Sequence, residues 1–538
     1  MPGGEVKQRT GRAAEIGLLT FAAVIVSCAL IIVELNQDQQ LSWDLAWYGG
    51  GYLLALLITH LLVRWLAPYA DPVLMPVAAL LNGLGLVMIH RLDLADVARA
   101  KAGGDPTGAL EAPLQLMWTA VALGLFLLVL LVVRDHTKLQ NYAYTLALAG
   151  VVFLAIPAIL PARYSAVNGA KIWIKIPGLF SIQPSEFAKI ALIIFCAAFL
   201  SSRVGVLGQA GKRFLGLTLP RMRDLGPLAL VLVIALGILV RGNDLGTSLL
   251  LFGIVLVMLY LATSRISWVI ICLLAFGAGC VLMYQLFPHF KVRVDIWLHP
   301  FADPSGSSYQ LVQSLFGLGT GGIFGTGLGA GRPDLVPFAS TDFITAAFGE
   351  ELGLVGLTVI IVLYMLLTSR GIRTGIAARD KFGALLAGGL AFSIALQVFI
   401  IVGGVTRLIP LTGLTTPFLS YGGSSLLANY MILALLVRIS DSSRRPPPPP
   451  PVLGASSADD AAGAGGTGGP GGSGPDGSGP GSSGETGRVR LGKPQQLGEV
   501  HTQMLTVPGR RGRDGGQASA GKGKDAGRGT GNGRGSER

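Results

Sequence analysis

The strongest constraint in this chain is the repeated recurrence of apolar runs about 20 residues long, the length that crosses a bilayer core as a helix. They lie near 16–34, 46–66, 72–90, 114–133, 143–161, 186–203, 226–240, 244–262, 266–287, 344–368, 383–403 and 415–438. Hydrocarbon offers backbone N–H and C=O groups no water to bond, so each run must satisfy them internally. The expected fold is an all-α polytopic membrane protein with about twelve transmembrane helices. Composition agrees: 51% of the 538 residues are hydrophobic and 13% charged, roughly half the charged share of a soluble domain. Within 226–262, Arg241-Gly242-Asn243-Asp244 interrupts the apolar stretch and predicts a tight turn.

Lys and Arg in short loops set the orientation. Lys7, Arg9 and Arg12 precede the first span; Arg134 and Lys138, then Arg203, Lys212, Arg213, Arg221 and Arg223, then Arg370, Arg373, Arg379 and Lys381 fall in later loops on the same side. That side is expected to be cytoplasmic and to hold both termini. The long loop 288–343 then faces outside. The 91–113 loop also falls outside, its Arg91, Arg99 and Lys101 diluted by Asp93, Asp96, Asp105 and Glu111. The net charge of +12 reads as a topology signal, not a nucleic-acid footprint. Cys28, Cys196, Cys272 and Cys280 lie in spans, with neither metal nor disulfide spacing, and read as packing residues. No cleavable signal is visible; the first run is long enough to be a retained span. The tail 441–538 opens with Pro446 to Pro451, a stiff spacer. Its Gly- and Ser-rich remainder has too little apolar area to order, so disorder is expected; contact of Arg510, Arg511 and Arg513 with anionic headgroups is the sharper alternative.

The loop 288–343 concentrates the polar chemistry. Asp303 stands in Asp303-Pro304-Ser305-Gly306, where the proline disfavours helix at Asp303; on local sequence alone a turn is the simpler reading. Glu186 and Lys189 are three apart at the start of a span, on one helix face. Pro184-Ser185 predicts a serine-capped helix start. A lysine a turn inside a span needs a partner, so an ion pair bordering a polar cavity competes with a snorkelling lysine. Lys291, Arg293 and Arg332 add positive charge that is either solvated or suited to a phosphate group. Asn168-Gly169-Ala170-Lys171, Trp173 and Lys175 read as an interfacial anchor or a headgroup contact. Gln313 to Gly331 looks helix-like and glycine-rich; it lacks a phosphate-loop setting, though its N–H groups could still meet an anion. Thr341 and Asp342 precede a span and Glu350 and Glu351 lie inside it, where ionisable groups have a function or a partner.

Taken together, five ordered motifs resemble the SEDS family, the RodA, FtsW and SpoVE polymerases of bacterial cell-wall synthesis. They are Ile182-Gln183-Pro184-Ser185-Glu186-Phe187-Ala188-Lys189; Asn243-Asp244-Leu245-Gly246-Thr247-Ser248; Asp303-Pro304-Ser305-Gly306 with Tyr309-Gln310; Thr341-Asp342-Phe343 with Glu350-Glu351-Leu352-Gly353; and Pro410-Leu411-Thr412-Gly413 through Ser420-Tyr421-Gly422-Gly423-Ser424. The resemblance implies a ten-span core over 72–440 with its loop 288–343, two additional helices in 16–71, a cytoplasmic segment 1–15 and the tail 441–538. It implies a peptidoglycan glycosyltransferase acting on lipid II at the outer face of the cytoplasmic membrane, with a class B penicillin-binding protein and membrane lipids as partners and no nucleic acid. The family's essential aspartate falls on Asp303, which reverses the local preference for a plain turn. Its Glu and Lys fall on Glu186 and Lys189. Arg293, Lys291, Arg332, Gln310, Thr341 and Asp342 become candidate substrate contacts. Mg²⁺ or Mn²⁺ could help at the pyrophosphate, although no ligand cluster demands one. Ser340 stands where most members have histidine, so no role of that histidine carries over. This serine, the extra spans and the tail resemble the actinobacterial RodA-like branch and favour elongation over division. A lipid II flippase and a non-catalytic scaffold are the rival readings. Against a flippase, the charged motifs gather at one face, not at the midplane where transporter sites lie.

Overall fold

A computed structural model describes residues 11–37, 43–103, 110–167, 170–176, 180–207, 212–214, 217–219 and 225–446. The expected disorder of the tail and its arginines falls outside these residues.

The described chain is almost wholly helical. In order it forms α1 (Arg12–Asn36), α2 (Trp43–Leu66), α3 (Leu74–Gly103), α4 (Glu111–Val132), α5 (Ala143–Ile159), a single turn α6 (Ala162–Ser165), α7 (Pro184–Leu207), α8 (Gly226–Arg241), α9 (Leu245–Thr263), α10 (Ile266–Leu286), α11 (Pro288–Leu298), α12 (Tyr309–Gly321), α13 (Ile344–Ala377), α14 (Lys381–Val405) and α15 (Gly423–Arg444). Three short antiparallel hairpins complete it. Eleven of the described helices are long and apolar enough to cross a bilayer, counting α5 with the 3-10 turn before it. α8, the twelfth expected span, has 16 residues and reaches about 24 Å. The protein is a multi-pass membrane protein.

α3, α7, α14 and α15 are the most enclosed, while α10 is nearly bare. The bare faces carry large apolar side chains such as Phe21, Leu274 and Val359, as lipid contact requires. With lipid as apolar as leucine, helices associate by close packing, which small residues permit. Gly83 of α3 lies against Val26 and Tyr52, Gly85 against the backbone of Leu419, and Gly371 of α13 against Ala391 of α14.

Several boundaries differ from the expected ones, each because a distant partner intervenes. α1 begins at Arg12, within the expected terminal segment 1–15, because Arg12 pairs with Glu15, and Glu15 with His60 of α2 at 3.1 Å, all buried. α3 runs on past residue 90. There Arg91 reaches Glu351 at 2.9 Å and the carbonyl of Gly331 at 2.7 Å, and Asp93 accepts the N–H groups of Glu111 and Ala112 at the start of α4. The last span begins at Gly423, not 415, because Pro417, a left-handed Phe418 (φ 65°) and Gly422 break it. It continues to Arg444, past the expected boundary at 440. Ser440 and Asp441 there accept the N–H groups of Asp71 and Tyr69.

The glycine-rich stretch is corrected in the same way. Its helix stops at Gly321, and Gly322, Gly325, Gly327 and Gly329 take positive φ. α13 breaks at Gly353 (φ 66°), and the N–H groups of Leu354 and Val355 donate to the carbonyls of Gly322 and Ile323 instead. The N–H groups of Thr326 and Gly327 bond the carbonyls of Glu350 and Glu351; those of Gly329 and Arg332 bond the two carboxylates. These donors are taken up by α13, so they do not serve the anion that the N–H groups could have met.

Candidate active site

α7 starts with Pro184 in its first turn, where a missing N–H costs nothing. Ser185, the expected cap, has a buried hydroxyl without a partner, and the carbonyl of Gln183 accepts the N–H of Glu186. The i,i+3 spacing brings Lys189 Nζ to 2.9 Å from Glu186 Oε2, both side chains nearly sealed at 3% and 5% exposure. Lys189 also donates to Gln397 Oε1 of α14 at 2.9 Å, and Gln397 Nε2 donates to the carbonyl of Thr415 at 2.8 Å. An ammonium has three donors, so one remains. The expected ion pair therefore forms, anchored by a glutamine from a helix more than 200 residues away.

Beside it, the predicted turn at 241–244 is present, with Asn243 left-handed (φ 62°) and Asp244 capping α9 through the N–H of Thr247. Gly246 leaves no room for a side chain against Thr412 and Leu414, which brings the segment Pro410 to Thr416 onto α9. Arg293 of α11 donates to the carbonyl of Leu411 at 2.7 Å. Burial lowers the Arg293 pKa, opposed by the charges of Asp244 and Asp342. Burial likewise raises the Asp342 carboxyl above its usual range, against the hydrogen bond from Thr341 and the charge of Arg293. Ser420 Oγ ties the last motif to the carbonyl of Thr341 at 2.5 Å. Residues from four of the five motifs are thus linked through the segment Pro410 to Ser420.

Asp303 lies on an exposed turn between α11 and α12. Its Oδ2 accepts from the N–H of Ser307 at 2.8 Å and from Ser307 Oγ at 3.1 Å. The backbone is extended at Asp303 (φ −138°, ψ 69°), as the following proline demands. Phe301 packs on Phe316 of α12 with ring centroids 6.3 Å apart, and Arg407, left-handed at φ 62°, donates to the carbonyls of Trp297 and Leu298. Both contacts seat the strand of chain between α11 and α12. A Cβ at Gly306 would collide with the Asp303 carboxylate as it stands. The obstacle is a movable side-chain end, so Gly306→Ala should displace the carboxylate and leave the fold intact. Polymer synthesis should drop about 100-fold with the melting temperature unchanged; equal rates for the two proteins would show that the carboxylate position is immaterial.

The remaining predicted residues divide. Lys291 is exposed, 6.0 Å from the Tyr284 ring, and Gln310 is half-buried in the first turn of α12. Arg332 belongs elsewhere. Its guanidinium pairs with Asp334 at 3.2 Å, and Arg99 pairs with the same carboxylate. Burial works to raise the Asp334 pKa, but the bonds and charges of Arg332 and Arg99 outweigh it and hold the carboxyl below its usual range. Lys175 donates to the carbonyl of Ala166 at 2.7 Å, a local tie. Gln397 was not picked out from the sequence, although a glutamine inside the 383–403 run was an available signal; Asp244 and Thr415 stood within quoted motifs without an assigned contact. Between α13 and α14 a lateral groove of about 510 Å³, lined by Tyr364, Met365, Val398, Phe399, Val402 and Leu408 among others, has the apolar wall a hydrocarbon chain requires.

A sequence profile of the FtsW/RodA/SpoVE family, described as cell cycle proteins, matches residues 72–445. The peptidoglycan glycosyltransferase RodA of Mycobacterium tuberculosis is 58% identical over 434 residues, covering 80% of this chain and 91% of that protein. The enzyme of the same name from Mycobacterium leprae is 56% identical over 436 residues, 81% of this chain and 91% of its own. Among solved structures, one described as the structural coordination of polymerization and crosslinking by a peptidoglycan synthase complex aligns with a TM-score of 0.53 at 26% identity, over 70% of this chain and 99% of that one. With four of its motifs linked through one segment and its profile match spanning 72–445, this chain belongs to the FtsW/RodA/SpoVE family of cell cycle proteins.

Proposed function

We propose that the chain is a peptidoglycan glycosyltransferase that polymerises lipid II at the outer face of the cytoplasmic membrane, with both termini in the cytoplasm. The observation that carries this is the buried Glu186–Lys189–Gln397 chain, tied through Gln397 to Thr415 in the same segment whose Leu411 carbonyl holds Arg293, in a chain that also presents an exposed, oriented carboxylate, Asp303. The relatives named peptidoglycan glycosyltransferase support it.

In the reaction a sugar hydroxyl of one lipid II attacks the anomeric carbon of another. A new C–O bond forms there, the bond to the pyrophosphate oxygen breaks, and the polyprenyl pyrophosphate leaves with the electron pair. Asp303 takes the hydroxyl proton. Arg293, Lys291 and the remaining donor of Lys189 face the phosphate charge, and Gln310, Thr341 and Asp342 line the substrate's path. Among the described residues no three His, Cys, Asp or Glu side chains gather to hold an ion; a Mg²⁺ or Mn²⁺, were one bound with the substrate, would supply positive charge at the pyrophosphate beside Arg293, Lys291 and Lys189. The partner is a class B penicillin-binding protein, and the role is elongation.

Purified protein with lipid II, with and without a co-purified class B penicillin-binding protein and with Mg²⁺ or Mn²⁺, should give a glycan ladder on a gel. Folded protein that binds lipid II but yields no ladder under any of these conditions would overturn the reading in favour of a flippase or a scaffold.

A further inference from the structure

We propose that α1, which lies outside the family-matched residues 72–445, braces the catalytic turn, and that Asn36 and Gln37 at its end are positioning residues. The inference rests on the glycosyltransferase reading for its kinetic arm only.

The brace is continuous on the page. Val26, Ala29, Leu30 and Val33 of α1 pack with Val87 of α3 into one apolar seam, and Leu328 of the glycine-rich segment inserts into it. Asn36 Nδ2 donates to the carbonyl of Leu328 at 2.5 Å, and Gln37 Nε2 to the carbonyl of Gly329. Gly329 (φ 80°) lies so close that a Cβ would sit 3.1 Å from Asn36 Cβ and 3.2 Å from Val33 Cα. From its other side Gly329 donates its N–H to Glu351 Oε2, the carboxylate that pairs with Arg91. One residue back on α3, His90 pairs with Glu34 of α1 at 2.9 Å. Segment 322–332 is therefore gripped between α1 and α13.

That grip reaches the chemistry through α12. This helix has 13 residues and spans about 20 Å. The gripped segment follows its C-terminal end, and the Asp303 turn immediately precedes its N-terminal end, with the carbonyl of Asp303 accepting the N–H of Ser308. A helix transmits displacement along its axis, so loosening one end lets the other drift. Asn36 and Gln37 lie at the C-terminal end of α1 and outside the α1–α3 seam, so truncating them leaves the seam untouched.

The test is the full chain carrying Asn36→Ala and Gln37→Ala, beside the unaltered protein. Deuterium exchange should rise in 303–332 and not in α7, α14 or α15, with an unchanged melting temperature. kcat for lipid II polymerisation should fall on the order of five- to tenfold at constant KM. Unchanged exchange in 303–308, or raised exchange there with unchanged kcat, would overturn the proposal, as would a uniform rise throughout the chain. A failed polymerase reading would show instead as no ladder from the unaltered protein, and the exchange arm would still test the brace.

Discussion

Asp303→Asn should yield a folded protein that binds lipid II and makes no glycan ladder. The amide is nearly isosteric with the carboxylate and can keep an oxygen toward the N–H and hydroxyl of Ser307, which hold Oδ2 at 2.8 and 3.1 Å. The side chain is exposed, and exposed substitutions away from special features shift stability by about 0.5 kcal/mol or less. What the amide lacks is basicity. A positioned base contributes roughly 10²- to 10⁴-fold, so the ladder should vanish at enzyme concentrations where the parent protein completes it. The measurements are the gel assay, a melting curve and lipid II binding on one preparation. A ladder within a few-fold of the parent would remove Asp303 from the mechanism.

The second large effect concerns the buried pair. Lys189→Met strands the Glu186 carboxylate at 5% exposure and deprives Gln397 of its donor. Removing one partner of a buried pair costs about 3–5 kcal/mol, so the melting temperature should fall sharply. Glu186→Gln combined with Lys189→Met leaves no buried charge and should recover most of that loss, since neutral replacements of a buried pair are often tolerated. On the proposed mechanism polymer synthesis should stay absent in the double variant, because the ammonium proposed to meet the phosphates is gone. A stable, active double variant would reduce the pair to a structural role.

The legible part of this protein follows from what is local. A 20-residue apolar run declares a span by itself, and ten of the twelve expected spans have helices ending within a few residues of the expected positions or running somewhat longer. Glu186 and Lys189 were legible as neighbours because a helix brings i and i+3 together, and the Asp303 turn because proline and glycine restrict the backbone. Arg293 and Arg332 looked alike in the loop. The structure places the first against Leu411, Asp244 and Asp342 and the second on Asp334. Gly329 was one glycine among several in a glycine-rich stretch and is a contact for α1 and α13. The continuation of α3 rests on Arg91 and Glu351, 260 residues apart, which no window along the chain contains.

The sequence by itself determined that the chain crosses a membrane many times and which residue types carry its chemistry, because apolar length and short-range spacing act within a single helix. Only the tertiary structure decided where helices break, which charges meet and what Gln397 and Gly329 are for. In hydrocarbon an unpaired charge is costly, and Arg91, His60 and Lys189 take partners from helices far apart in the chain, Glu351, Glu15 and Gln397.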